Sequence, residues 1–130
     1  NKYLIEWLKS KVGNPYSQAN RNDGYHFDCS SLVYYAYKQL GTDLSFGGSS
    51  TAAQIAKGLD AKGKTVSVNN LRPGDVVFYS HDVNGRYKNI THVGVYIGDG
   101  RMIDARGVKY GVVERSMPTK NIVMCARPLQ

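Results

Sequence analysis

Three side chains in this sequence, Cys29, His92 and Asp104, could together carry nucleophilic acyl transfer. An ionised thiol is a strong nucleophile, and it needs a neighbouring base to take its proton. The base works best when a further group holds its ring in one tautomer. Cysteine, histidine and aspartate supply those three roles. The question for the sequence is whether its elements bring them together.

The cysteine stands at a helix start. In Phe27-Asp28-Cys29-Ser30-Ser31-Leu32-Val33-Tyr34-Tyr35-Ala36-Tyr37, Asp28 suits the N-cap and Cys29 becomes the first helical residue. Leu32, Val33, Ala36 and Leu40 recur at helical spacing, and Gly41 is a natural stop. A thiol at that end feels free backbone N–H groups and the positive end of the helix dipole, and both favour thiolate. A lone cysteine more often fills space in a core, so its partners decide the matter.

The histidine lies on a strand. Thr91 to Ile97 alternates, with Val93, Val95 and Ile97 on one face and His92, Gly94 and Tyr96 on the other. A two-residue loop at Asp99-Gly100 would pair Val95 with Asp104 and put a carboxylate on the apolar face. A three-residue loop, Gly98-Asp99-Gly100, pairs Ile97 with Arg101 and Val95 with Ile103, and that face stays apolar. The second register is the expected one. It places Asp104 opposite Gly94 and diagonal to His92, within reach of its imidazole. The plainer alternative is a solvated strand face on which Asp104 is only a polar neighbour of His92.

At 130 residues the chain is one domain with room for a core. The net charge is +7, but Lys and Arg are scattered and no dense basic run occurs. Nucleic acid is therefore not the expected partner; a diffuse positive field suits a polyanion, a bacterial wall included. No apolar run is long enough for a helical membrane span. No leader is visible, and the start at Asn1 fits a processed protein or a domain of a longer one. A Cys29–Cys125 disulfide is compatible with the sequence, but it would silence Cys29. Cys125, in the apolar run Ile122 to Ala126, reads as core filling. His26, His81 and His92 do not fall at zinc-ligand spacings, so neither a metal nor a cofactor is expected.

Along the chain, Leu4, Ile5, Leu8 and Val12 make the stripe of a first helix, which Gly13 ends. A loop through Asn14-Pro15-Tyr16 leads to the Cys29 helix. A short helix capped by Ser49 or Ser50 is expected to end at Gly58. From Thr65 the pattern is strand-like, with strands over Val76 to Tyr79, Ile90 to Ile97, Arg101 to Ala105, Val112 to Arg115 and Ile122 to Ala126. The segment from His81 to Asn89 is a polar loop. Helices first and antiparallel strands after argue an α+β fold.

Four boxes resemble those of the NlpC-type cell-wall cysteine peptidases. Phe27-Asp28-Cys29-Ser30-Ser31-Leu32-Val33 is similar to that family's Asp-Cys-Ser-Gly-Leu-Val box. Leu71 to Phe78 resembles its Pro-Gly-Asp-Leu-Val-Phe strand, and His92 to Ile103 its His-Val-Gly-Ile-Tyr segment. Val12-Gly13-Asn14-Pro15-Tyr16 resembles its Gly-x-Pro-Tyr entry, and the boxes occur in family order. The resemblance implies a papain-like α+β fold, with N-terminal helices packed on an antiparallel sheet. It implies a single catalytic domain, expected to be a monomer, from secreted, wall-associated or phage-borne enzymes. Their substrates are peptidoglycan stem peptides, cut next to D-glutamate or D-glutamine. Cys29 becomes the nucleophile, His92 the base and Asp104 the orienting group. Tyr16, Asp28 and Ser30 become cleft residues, and the residues matching Asp28 and Ser30 can hold a stem peptide's free amine. The Cys29 backbone N–H and the Tyr16 hydroxyl are the expected oxyanion donors. An amidase that removes the stem from muramic acid and a non-catalytic wall-binding module are the alternatives.

Two positions depart from the family pattern. Ser31 replaces a glycine, which either crowds the first turn or adds a polar contact. Asp104 replaces the more usual histidine and is expected to raise the pKa of His92. Asp28 has two readings, N-cap and amine contact, and one carboxylate could serve both.

Overall fold

A computed structural model describes residues 1–129. Three helices come first: α1 (Lys2–Lys11), α2 (Cys29–Lys38) and α3 (Ala52–Ala61). Six strands follow: β1 (Thr65–Val66), β2 (Val76–Tyr79), β3 (His92–Gly98), β4 (Arg101–Ala105), β5 (Val112–Ser116) and β6 (Ile122–Ala126). They form one antiparallel sheet in the order β1-β6-β2-β3-β4-β5. The expected α+β architecture, helices against an antiparallel sheet, is what the chain adopts.

Alternation along the strands divides the apolar side chains between two clusters. The larger joins Leu4, Leu8, Leu32, Val33, Ala36 and Ile55 of the helices to Val76, Phe78, Val93, Val95 and Ile103 of the sheet. The smaller gathers Val77, Tyr79, Met102 and Cys125. Cys125 is therefore a buried filler. Both cysteines are free, so no disulfide ties up Cys29.

Two expectations are corrected. The third helix is capped by Thr51, whose hydroxyl accepts the Gln54 N–H, and not by Ser49 or Ser50. It also runs past Gly58 to Ala61. Gly58 serves packing instead of termination: a Cβ there would lie 2.2 Å from the Phe46 ring. The β3–β4 hairpin departs in its loop and keeps its register. Val95 pairs with Ile103 as expected, but Gly98, not Ile97, pairs with Arg101. A two-residue turn at Asp99-Gly100, with φ of 53° and 70°, closes the hairpin, and a bulge at Ile97 takes up the extra residue.

Candidate active site

The start of α2 is built as a closed hydrogen-bond ring. Asp28 has extended backbone (φ −98°, ψ −179°), and its Oδ1 accepts the Ser31 N–H at 2.8 Å. The Ser31 hydroxyl in turn accepts the Asp28 N–H at 3.0 Å. Asp28 is thus the N-cap, and Ser31 adds a polar contact that glycine could not make. Such a cap contributes about 1 kcal/mol and fixes where the first helical residue, Cys29, points. The entry loop is zipped to the residue before it. Phe27 donates its N–H to the Pro15 carbonyl (3.1 Å) and accepts the Ser17 N–H (3.2 Å), bridging Tyr16 to Phe27. Phe27 itself is buried, with the Trp7 ring edge-on at 6.0 Å between centroids.

His92 opens β3 opposite Tyr79 of β2. Its Nε2 lies 2.7 Å from Asp104 Oδ2. An ionised carboxylate can only accept, so Nε2 carries the proton and Nδ1 is left to face the thiol. The Cys29 thiol lies close enough to the imidazole to interact with it and raise its pKa. His92 therefore stands between Asp104, which it bonds, and the Cys29 thiol. Burial disfavours a charged imidazole here, but the hydrogen bond to Asp104 and the nearby Cys29 outweigh it and hold the His92 pKa up at about 9.

Gly94 makes the approach possible. A Cβ at that position would sit 3.1 Å from the Asp104 Cβ and 2.4 Å from the Met102 methyl. Strand pairing thus brings Asp104 against the bare backbone of Gly94, one pleat from His92.

A fourth member was not foreseen. Arg115 of β5 grips Asp104 with both arms of its fork, Nε to Oδ1 at 3.0 Å and Nη2 to Oδ2 at 2.6 Å. Asp104 is 1% exposed, and burial alone would raise its pKa. The bonds from His92 and Arg115 reverse that and keep it below its ordinary value. Arg115 stands opposite Met102, two residues from Asp104 along β4, so the pair is a diagonal cross-strand contact.

Arg21 was also unforeseen. It reaches from the entry loop onto the residues beside the thiol, with Nε on Asp28 Oδ2 at 2.8 Å and Nη2 on Ser30 Oγ at 2.9 Å. Its Nη1 donates to Ser50 Oγ at 2.9 Å. Asp28 and Ser30 are therefore already engaged by a cation. Tyr16 is half-buried within electrostatic range of Cys29, Asp28 and Arg21; burial, then the Cys29 and Asp28 charges, raise its pKa, so its hydroxyl keeps its proton. A cleft of about 470 Å³ opens over Cys29 and Ser30, with Ala52 and Ala53 of α3 on one side and Asn84, Arg86 and Thr91 on the other. The 81–89 segment thus forms a wall of the cleft, anchored where the Tyr87 hydroxyl donates to Asp60 of α3. Among the described residues, no group of three or more His, Cys, Asp or Glu side chains is placed to hold a metal ion. Among the described residues, no helix is long and apolar enough to cross a membrane.

The family model of the NlpC/P60 family matches residues 13–127. The chain is 38% identical over 101 residues to the peptidoglycan DL-endopeptidase CwlO of Bacillus licheniformis, covering 75% of this chain and 20% of that protein. It thus spans about a fifth of that relative's length. Among solved structures, an NlpC/P60 family protein from Bacillus cereus superposes with a TM-score of 0.82 at 27% identity, over 99% of this chain and 40% of that one. RipD of Mycobacterium tuberculosis, a non-catalytic NlpC/p60 domain protein adapted to peptidoglycan binding, gives 0.76 at 26% identity, over 98% of this chain and 96% of that one. The chain belongs to the NlpC/P60 family.

Proposed function

We propose that this domain is a cysteine endopeptidase that cuts an amide bond of the peptidoglycan stem peptide beside D-glutamate or D-glutamine. It works outside the cell, at the wall, as a monomer without cofactor. The observation that carries the reading is one imidazole, His92, hydrogen-bonded to the buried Asp104 and within electrostatic reach of the Cys29 thiol at the start of α2. The endopeptidase named among its relatives supports the substrate class.

Each step has a group in place. His92 Nδ1 takes the thiol proton, and the thiolate of Cys29 attacks the amide carbonyl. The Cys29 N–H, at the open end of α2 where no intrahelical acceptor exists, receives the developing oxyanion, joined by the protonated Tyr16 hydroxyl. His92 then gives its proton to the leaving amine as the C–N bond breaks. Water, deprotonated by His92, hydrolyses the thioester and frees Cys29. Asp104 stays ionised throughout, holding Nε2–H and balancing the imidazolium.

The test is digestion of purified peptidoglycan by the wild type and by Cys29→Ala, with fragments identified by mass spectrometry. Stem-peptide fragments that vanish in the variant are the expected result. Intact stems released from muramic acid would instead identify an amidase on the same scaffold. Wall binding with no fragments would match the second reading, a binding module, which the likeness to RipD favours.

A further inference from the structure

The cleft beside Cys29 has an unbalanced charge. Its lining contains one carboxylate, Asp28, and two guanidinium groups, Arg21 and Arg86. Asp28 is consumed: its Oδ1 caps α2 and its Oδ2 holds Arg21. Ser30, on the other side of the thiol from Asp28, also takes an Arg21 N–H. Arg21 is only 21% exposed and is tied to Ser50 as well, through Nη1 to Oγ and Nη2 to the carbonyl, so it is a fixed part of the wall. An ammonium entering here would have to displace a guanidinium held by four hydrogen bonds. Arg86 differs. It is exposed on the cleft's other wall, and among the described residues no carboxylate pairs with it. Beyond Arg86 a second groove of about 500 Å³ continues to Lys57 and contains no carboxylate.

We infer that this cleft receives a free carboxylate of the substrate next to the scissile amide, with Arg86 as its partner and Arg21 as the cation that cancels Asp28. The inference rests on the stem-peptide reading for the identity of the ligand. D-Glutamate joined through its γ-carboxyl carries an α-carboxylate a short carbon chain from the scissile carbonyl. Many walls carry that group as a neutral carboxamide instead. A guanidinium binds a carboxylate through paired, charge-assisted hydrogen bonds that a carboxamide cannot reproduce. Arg86 is then the residue that distinguishes the acid stem from the amidated one.

The experiment uses two synthetic stem peptides, identical except that the D-glutamate α-carboxyl is free in one and amidated in the other. Binding of each to Cys29→Ala is measured by calorimetry, alone and with Arg86→Ala or Arg86→Glu added. Cleavage of each by the wild type is followed in parallel. The free acid is expected to bind about tenfold tighter at low salt, in line with one partly screened charge-assisted contact. Arg86→Ala brings the ratio close to one, and Arg86→Glu inverts it. Equal affinities, tighter binding of the amide, or no binding of either peptide overturn the inference. Cleavage of both peptides with equal affinities overturns it while leaving the endopeptidase reading intact. A clear preference for the acid without cleavage supports it and counts against that reading.

Discussion

Asp75 and Asp104 are both buried in the sheet, and both are held by the fork of an arginine from a neighbouring strand or its end. Arg127 places Nε on Asp75 Oδ1 and Nη2 on Oδ2, each at 2.9 Å. Arg115 does the same to Asp104 at 3.0 and 2.6 Å. The third donor separates them. At Asp75 it is the backbone N–H of Arg72 at 2.8 Å, whose proton never leaves. At Asp104 it is the Nε2–H of His92, a ring whose other nitrogen can take and give a proton. The first pair locks the Pro73-Gly74 turn that starts β2; the second delivers a fixed negative charge to a base beside a thiol. One structural device thus serves architecture at one end of the sheet and chemistry at the other, and only the third partner tells which.

Substituting the two aspartates should give opposite signatures. Asp104→Asn is expected to lower turnover roughly 100-fold or more while the domain still folds, because the imidazole loses its orienting charge. Asp75→Asn is expected to cost about 3 kcal/mol of stability by removing the buried charge that receives the Arg127 fork, with turnover per folded molecule retained. Denaturant titration and steady-state kinetics on both variants separate these outcomes. Equal effects on activity would erase the distinction.

The pH dependence sharpens it. His92 is held at about 9 against an ordinary 6.5, so its folded state favours the proton. Its contribution to stability is fully present below pH 6.5 and is lost as pH rises through about 9. Asp104 runs the other way, since its pKa is depressed: its contribution is present above the ordinary carboxylate value and is lost as pH falls through the folded one. Melting temperatures across pH should show an alkaline loss near 9 that disappears in His92→Gln. Asp104→Asn should move that limb to lower pH.

The arginines give a smaller contrast. Arg115→Met should slow turnover about tenfold, since Asp104 keeps its bond to His92 but loses the fork that aims it. Arg127→Met should change only the melting temperature.

The glycines give the smallest. Gly94→Ala pushes on Met102 and the Asp104 Cβ and should lower activity several-fold. Gly58→Ala pushes only on the Phe46 ring and should lower stability by about 1–3 kcal/mol without touching kcat.

How far the site could be read in advance follows from what fixes each residue. Cys29 was placed by a local cap, which depends on neighbours in sequence. His92 and Asp104 were placed by strand alternation and by the need to keep Val95 and Ile103 apolar together. That constraint preserved the register even though the loop is a two-residue turn with a bulge at Ile97. Arg115 and Arg21 had no such handle. The β4–β5 connection, residues 106–111, has no turn of fixed length from which to count, so the diagonal from Arg115 to Asp104 was not visible. Arg21 lies in an irregular loop without periodicity, and its long side chain reaches Ser50 across 29 residues of sequence. Gly58 misled for a related reason, since its lack of a side chain answers to Phe46, a contact that helix-ending rules do not see.

The central claim is that Cys29, activated by His92 and Asp104, forms a thioester with a stem peptide. The direct measurement is the intact mass of the protein, quenched in acid during turnover of a stem peptide whose two cleavage fragments differ in mass. The account predicts an adduct equal to the acyl fragment, localised to Cys29 by peptide mapping and absent from Cys29→Ala. Turnover that persists in Cys29→Ala, or no turnover and no adduct in the wild type, would contradict it.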